Sequence, residues 1–164
     1  MNTQKRQEGF SLIELLIVVA IIGIIAAIAI PNLLASRRAA NEGSAQSSMR
    51  TIHSSEATYQ ATAGNGDFGN LGALLGQTLI DPVLGTGTKS GYDFVATPSA
   101  AGVRPATFLA TAVPDVTAGA GQTGTRRFAI RENGVMHGDA PALAATLATA
   151  LVDADLTNNN ALGN

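Results

Sequence analysis

The chain has 164 residues, a length that suits one domain with its own core and is short for two. It carries 10 basic and 12 acidic side chains, and this balance gives no indication of a nucleic-acid partner. The absence of cysteine excludes disulfides, thiolate metal sites and cysteine nucleophiles. Frequent glycine and only 4% aromatic residues predict a small aliphatic core with many turns.

The first element is an apolar run from Phe10 to Ile30. A helix of that length, at about 1.5 Å per residue, is about 30 Å long and matches the hydrocarbon core of a bilayer. Lys5 and Arg6 precede the run, so the positive-inside rule places residues 1–9 in the cytoplasm and the remainder outside. A secretory signal peptide is the alternative, but its apolar region is usually shorter and ends at a small-residue cleavage site.

The sequence KRQEGFSLIELLIVVAIIGIIAAIAIP closely resembles the class III signal and N-terminal helix of type IV pilins and of the pseudopilins of type II secretion. In that family a prepilin peptidase cuts after the glycine of a Gly-Phe junction and methylates the new N-terminus. The resemblance implies a cut between Gly9 and Phe10, before the apolar run, so that the helix stays on the mature protein. It also implies the partners: the peptidase, an inner-membrane assembly platform, copies of the chain itself, and other pilins or pseudopilins.

Glu14 is the one carboxylate in the apolar run. An unpaired carboxylate at mid-bilayer costs about 2.5–3.5 kcal/mol, and less near a helix end where it reaches the interface. A tolerated residue that snorkels is one interpretation. The other is pairing, because cleavage creates a positive amine at Phe10 that a carboxylate can meet in a low-dielectric setting. The resemblance implies that the amine belongs to a neighbouring subunit, which gives a head-to-tail interface that does not close and so builds a helical filament.

Two residues of the apolar helix, Gly23 and Pro31, weaken it locally. Proline removes a backbone hydrogen bond and kinks a helix, and glycine lowers helix stability by about 1 kcal/mol relative to alanine. We predict that the stretch between them bends or unwinds, and the resemblance implies that this serves subunit packing and filament stretching. The alternative is a simple kink at the membrane exit.

After Pro31 the helical pattern continues to about Tyr59, with Ala45, Met49 and Ile52 near the face that should meet a sheet. A Gly-rich connector follows and predicts a surface loop with some packing of its own and a short apolar helical turn at 71–75. Strand patterns then come at GYDFVAT and ATFLATAV, and RRFAIRENGVMHG predicts a hairpin with its turn at Asn133-Gly134. Leu143, Leu147 and Leu151 recur every four residues and predict a short C-terminal helix, closing over the sheet or its edge, before a polar tail.

The predicted fold class is α+β, with one long helix packed on three or four antiparallel strands, and the resemblance implies the type IV pilin fold. The predicted organisation is a leader at 1–9, a transmembrane and assembly helix at 10–31, its amphipathic continuation at 32–62, a connector at 63–91, the sheet at 92–140, and a C-terminal helix with tail at 141–164.

No catalytic constellation is visible in the sequence. His53 and His137 lie in separate predicted elements without metal-ligand spacing, and no P-loop, dinucleotide or hydrolase motif occurs. Asp153 and Asp155 offer oxygen ligands for Ca²⁺, although the segment fails the EF-hand pattern. We therefore expect no cofactor, and keep Ca²⁺ as a hypothesis because the pseudopilins that the chain resembles bind it near the C-terminus.

Three functions follow from these observations. The first is a structural subunit of a type IV pilus, made as a single-pass precursor in a bacterial inner membrane and then assembled outside the cell. The second is a pseudopilin of a type II secretion system in a periplasmic pseudopilus, which the lack of a disulfide favours. The third, from another class, is a binding protein or enzyme for which the helix is only a tether; a tether gains nothing from Glu14 or from a Gly-Phe junction.

Overall fold

The computed structural model describes residues 10–139. The predictions for Lys5, Arg6, Gly9, the C-terminal helix and the Ca²⁺ ligands Asp153 and Asp155 lie outside these residues. The elements in chain order are α1 (Leu12–Ala61), α2 (Leu71–Gly76), α3 (Pro82–Gly85), β1 (Thr88–Lys89), β2 (Tyr92–Pro98), β3 (Phe108–Pro114), β4 (Arg127–Arg131) and β5 (Met136–Asp139).

Backbone contacts divide the described chain after Ser36, within α1, into an N-terminal unit and a globular unit. The globular unit is a helix and an antiparallel sheet, so the predicted α+β class with the type IV pilin arrangement is confirmed. The sheet has five strands in the order β1-β2-β3-β4-β5, each paired with its sequence neighbour. The prediction of three or four strands is wrong because β1 has two residues, too few for an alternating pattern.

The core of the globular unit lies between one face of α1 and one face of the sheet. Ala45, Met49 and Ile52 on the helix are fully buried, as the helical spacing predicts. In β2, Tyr92 and Phe94 are buried whereas Val95 is exposed, so the period of two places the aromatic rings toward the helix. Phe108 on β3 and Phe128 on β4 complete this apolar layer.

The connector between α1 and the sheet contributes more to the core than a surface loop would. Its helices begin at side-chain caps, because Asn70 accepts a hydrogen bond from the Ala73 N–H at 2.8 Å and Asp81 accepts one from the Leu84 N–H at 2.9 Å. These caps fix two short apolar turns, and Leu74 and Leu84 have no exposed surface. The predicted helical turn at 71–75 is confirmed, and the connector covers one part of the core.

Two glycines explain how the strands connect. The predicted β4–β5 turn is confirmed: Gly134 has φ +74°, a left-handed conformation that glycine adopts without strain, and the Asn133 side-chain oxygen Oδ1 accepts a hydrogen bond from the Val135 N–H. Gly124 lies where a Cβ atom would be 2.0 Å from the Tyr92 hydroxyl oxygen. That hydroxyl donates to the Arg126 carbonyl at 2.7 Å, so the missing side chain permits a close approach between β2 and the β3–β4 loop.

Candidate assembly surface

The N-terminal unit carries a run of exposed apolar side chains among the described residues. Large apolar side chains from Phe10 to Leu33 are all at least half exposed, and Phe10 is 90% exposed. Burying one such side chain stabilises by about 1.5–3 kcal/mol, so covering half of the fifteen side chains would supply on the order of 10–20 kcal/mol. An apolar surface of this size marks contact with lipid or with other protein chains.

Length and composition also allow this part of α1 to cross a membrane. Among the described residues, α1 is the one helix that meets this criterion, and none of its most apolar 18-residue window is buried. A buried core helix would pass the same composition test but would be covered by its own protein. The exposure therefore favours an element whose surroundings come from outside the chain.

Glu14 lies in the first turn of α1, and its carboxylate oxygen Oε2 accepts a hydrogen bond from the Ser11 N–H at 3.0 Å. The helix begins at Leu12, so Ser11 occupies the N-cap position and Glu14 the third helical position. This is one half of a capping box, in which the acid three residues after the cap satisfies the backbone donor of the cap. The S-x-x-E spacing at 11–14 is a capping-box pattern and could have indicated this local role of Glu14 from the sequence.

The capping contact and the predicted intersubunit pairing are compatible. Among the described residues, the hydrogen bond from the Ser11 N–H uses one oxygen of the Glu14 carboxylate, and the Glu14 side chain is exposed. A negative charge here also meets the positive end of the helix macrodipole. The cap holds the carboxylate at the Ser11 N–H, and Ser11 directly follows Phe10, the residue whose amine the predicted cleavage would free.

Gly23 and Pro31 both lie within α1, which is helical at both positions. A Cβ atom built on Gly23 would have no neighbouring atom within 4 Å, so nothing within the described chain requires glycine there. A reason for the glycine must come from helix flexibility or from a neighbouring molecule. The bending or unwinding between these residues stays a prediction.

Beyond Ser36, polar residues of α1 hold the loop between β3 and β4. An Arg38 guanidinium nitrogen donates to the Gln122 side-chain oxygen Oε1 at 3.0 Å, and the Asn41 side-chain amide donates to the Thr123 backbone carbonyl at 2.9 Å. The Glu42 carboxylate accepts from both the N–H and the hydroxyl of Thr125 at 2.7 Å. These contacts fix the loop against the helix, and Arg38 thereby has a partner within its own chain.

Glu56 is a buried carboxylate that the sequence analysis did not single out. It has no exposed surface, its Oε2 atom accepts a hydrogen bond from the Gly69 N–H at 2.8 Å, and Oε1 is buried without a hydrogen-bond partner. Burial raises the pKa of Glu56 from its ordinary value of 4.5 to about 7, against the smaller lowering effect of the Gly69 bond. Its position four residues after Ile52, on the buried helix face, was the available signal.

The titratable residues do not form a metal centre between residues 10 and 139, where no group of three or more His, Asp or Glu side chains is suitably placed. His53 contacts the Glu132 carbonyl oxygen at 3.3 Å and lies beside Phe108, and His137 is half-buried on β5. The ion pair between Asp67 and Arg104 joins the connector to the β2–β3 loop, and the guanidinium lowers the pKa of Asp67. These contacts fasten loops and provide no catalytic grouping within the described range.

Comparisons with known proteins give a match to the same N-terminal segment and similarities to two type IV pilus components. The model of the prokaryotic N-terminal methylation motif matches residues 4–30. The Thermus thermophilus type IV wide pilus major component PilA4 is 63% identical over 38 residues, which cover 23% of this chain and 29% of that protein. The Myxococcus xanthus type IV major pilin protein PilA is 43% identical over 54 residues, covering 33% of this chain and 24% of that protein.

A longer but weaker similarity reaches into the globular unit. The Escherichia coli type II secretion system core protein G is 27% identical over 94 residues, covering 56% of this chain and 65% of that protein. The chain thus spans between about a quarter and two thirds of the length of these relatives. No solved structure matches the chain.

Proposed function

Because this chain carries the N-terminal methylation motif and resembles type IV pilins, we propose that it is the structural subunit of a type IV pilus. The observation that carries this proposal is the exposed apolar helix that begins with Phe10 and carries Glu14 in its first turn. The higher identities to the two pilus components favour a pilus over a pseudopilus. The proposal gives the chain no catalytic role.

Maturation converts the precursor into a subunit that can assemble. The precursor is a single-pass protein of the bacterial inner membrane with residues 1–9 in the cytoplasm, where Lys5 and Arg6 hold its orientation. The prepilin peptidase cleaves the bond between Gly9 and Phe10 and methylates the amine of Phe10. The match of residues 4–30 to the methylation motif supports this step.

Assembly then replaces lipid by neighbouring helices around the apolar surface. Each new subunit brings the amine of Phe10 toward Glu14 of a neighbour, at the assembly platform of the inner membrane. Two unit charges 4 Å apart attract by about 4 kcal/mol at an effective dielectric constant of 20. The same contact repeated from subunit to subunit is head-to-tail, so it extends into a helical filament and does not close.

A pseudopilin of a type II secretion system is the second candidate function. The observation that favours it is the similarity to core protein G, which extends over 94 residues and so includes part of the globular unit. Both functions use the same helix and the same charge pair. They differ in whether the filament leaves the cell.

The role of Glu14 is tested by separating its charge from its cap. Glu14→Ala removes both, and Glu14→Gln removes the charge but keeps a side-chain oxygen that can accept from the Ser11 N–H. Ser11→Ala keeps the charge and the backbone N–H donor, so it is the matched control. If charge pairing drives assembly, both Glu14 variants are cleaved normally but give few filaments, and Ser11→Ala assembles. Normal filament yield from Glu14→Gln would refute the pairing.

Filament formation by this chain needs no cofactor in this proposal. Ca²⁺ at Asp153 and Asp155 is the competing possibility, since paired carboxylates are typical Ca²⁺ ligands. Calorimetry of the full chain in detergent should show no saturable heat with millimolar Ca²⁺. Heat that disappears in the Asp153→Asn, Asp155→Asn double variant would establish a Ca²⁺ site there.

A further inference from the structure

The sheet face opposite α1 is buried over only part of its width. One cross-strand row on this face runs from Val95 on β2 through Thr111 on β3 and Ala129 on β4 to His137 on β5. Val95 is 54% exposed, Thr111 is 6% exposed and Ala129 has no exposed surface. Burial on this outer face is therefore strongest at β4 and ends before β2.

The helices among the described residues lie on the other side of the sheet. Ala129 and Leu109 form an apolar cluster of their own, separate from the core under α1. Of the two long loops, the one after β3 is held on α1 through Glu42, and the one after β2 is held on the connector through Asp67. Within residues 10–139, no helix accounts for the burial of this outer face.

The chain itself leads toward this face. It leaves the sheet at Asp139, the end of β5, which pairs with Arg127 at the first residue of β4. Arg127 is 6% exposed and its guanidinium donates to Asp139 at 2.8 Å, so the exit point lies at one end of the buried region. Another 25 residues follow, 140–164.

We propose that the segment 143–151 docks on the outer face of β3 and β4, with Leu143, Leu147 and Leu151 against Leu109 and Ala129. A nine-residue helix is about 12 Å long, close to the roughly 13 Å from end to end of a five-residue strand. Small side chains at Thr111 and Ala129 leave room for leucines above them. This gives the globular unit a third layer, and it does not depend on the proposed function.

The segment also suits the charges of this surface. β4 places Arg127 and Arg131 on the same face as Ala129, since side chains alternate along a strand. Neither of these arginines is without a partner. The chain that follows Leu151 carries Asp153 and Asp155, whose charge is opposite to that of these arginines.

Cysteine labelling tests this docking, because the natural chain has no cysteine. Thr111→Cys reports on the outer face and Ala110→Cys, a fully buried neighbour on the inner face, is the matched control. Each is placed in the full chain and in a chain that ends after Asp139, in detergent. We expect Thr111→Cys to react with a maleimide at least about tenfold faster in the shortened chain, with Ala110→Cys slow in both, because removal of a docked segment opens one face only.

Thr111→Cys that stays protected in the shortened chain with Ala110→Cys also slow would overturn the proposal. Protection that develops in the full chain only upon filament assembly would assign the face to a neighbouring subunit and would overturn it as well. If both Thr111→Cys and Ala110→Cys react rapidly in the shortened chain, the truncation has opened the sheet itself. Disulfide formation in the full chain then decides whether the segment docks.

Disulfide formation provides that measurement. Leu109→Cys is combined in turn with Leu143→Cys, Leu147→Cys and Leu151→Cys, and mild oxidation should close at least one bond within a single chain. Ser54→Cys, on the exposed side of α1, replaces Leu109→Cys in the control set and should close none. Failure of all three Leu109 pairs, or bonds formed only between chains, would contradict the docking.

Discussion

Replacing Glu56 by glutamine should stabilise the globular unit at neutral and alkaline pH. The carboxyl group is buried beneath the connector, with one oxygen bonded to the Gly69 N–H and the other without a partner. Ionising it there requires desolvating a charge that has a single hydrogen bond. Glutamine keeps an acceptor for Gly69 and carries no charge.

The magnitude follows from the pKa of Glu56, which burial raises from 4.5 to about 7. The folded state holds a proton that the unfolded state releases, so this contribution to stability is fully present below pH 4.5. It is lost as the pH rises, and the loss is complete above pH 7. A difference of about 2.5 pKa units corresponds to roughly 3 kcal/mol, which is an upper value because partial opening relieves the desolvation.

The assay is urea unfolding of the full chain in detergent between pH 4.5 and 8.5, followed by the tyrosine signal of Tyr59 and Tyr92. The difference in the free energy of unfolding between Glu56→Gln and the natural chain should be small near pH 4.5. It should then grow in favour of the variant and level off above pH 7, reaching about 1–3 kcal/mol. Taking the difference cancels other titrating groups common to both proteins.

Glu42→Gln is the matched control, because Glu42 also lies on α1 but accepts two hydrogen bonds from Thr125 and is partly exposed. This variant should be no more stable than the natural chain at pH 8, since it weakens charge-assisted bonds. A Glu56→Gln variant that is less stable than the natural chain at pH 8, or a difference that does not change with pH, would refute the reasoning.

Two further predictions concern packing and processing. Gly124→Ala should destabilise the globular unit by about 1–3 kcal/mol in the same unfolding assay, because its Cβ atom would overlap the buried ring and hydroxyl of Tyr92. Gly76→Ala is the control and should be neutral or slightly stabilising, because a Cβ atom there has no neighbouring atom within 4 Å. Equal stability of the two variants would contradict the close approach between Gly124 and Tyr92. Gly9→Val should block cleavage and leave a heavier membrane-bound precursor on an immunoblot, and a mature-sized band would argue against cleavage at Gly9.

The parts of the fold that repeat a period could be predicted from the sequence. The spacing of Ala45, Met49 and Ile52 identified the buried face of α1, and the alternation of Tyr92 and Phe94 identified the inner face of β2. Asn133-Gly134 identified the hairpin turn because glycine is suited to the backbone conformation found there. Each of these signals is local, and local signals are readable without the tertiary structure.

The features that were missed depend on neighbours distant in sequence. Leu74 and Leu84 are core residues because capped turns of the connector fold back on α1, which a Gly-rich composition does not indicate. Glu56 is buried although carboxylates usually face solvent, since Gly69 supplies one bond from the connector. The two residues of β1 gain strand geometry only by pairing with β2.

For the candidate assembly surface, the length of the apolar helix and the position of Glu14 in it could be predicted from the sequence. The hydrogen bond between Glu14 and the Ser11 N–H is visible only in the structure. The predicted pairing joins two subunits, so the structure of a single chain does not contain it. Its prediction rests on the amine that the predicted cleavage would create at Phe10.

Mass spectrometry of filaments sheared from the cell surface tests the central claim most directly. The chain should be present in that fraction without residues 1–9, beginning at Phe10 with one methyl group on its amine. Filaments that contain the chain with residues 1–9 still attached would contradict the proposed maturation. Absence of the chain from sheared filaments, with the mature form retained in the cell envelope, would contradict the pilus and favour the pseudopilus.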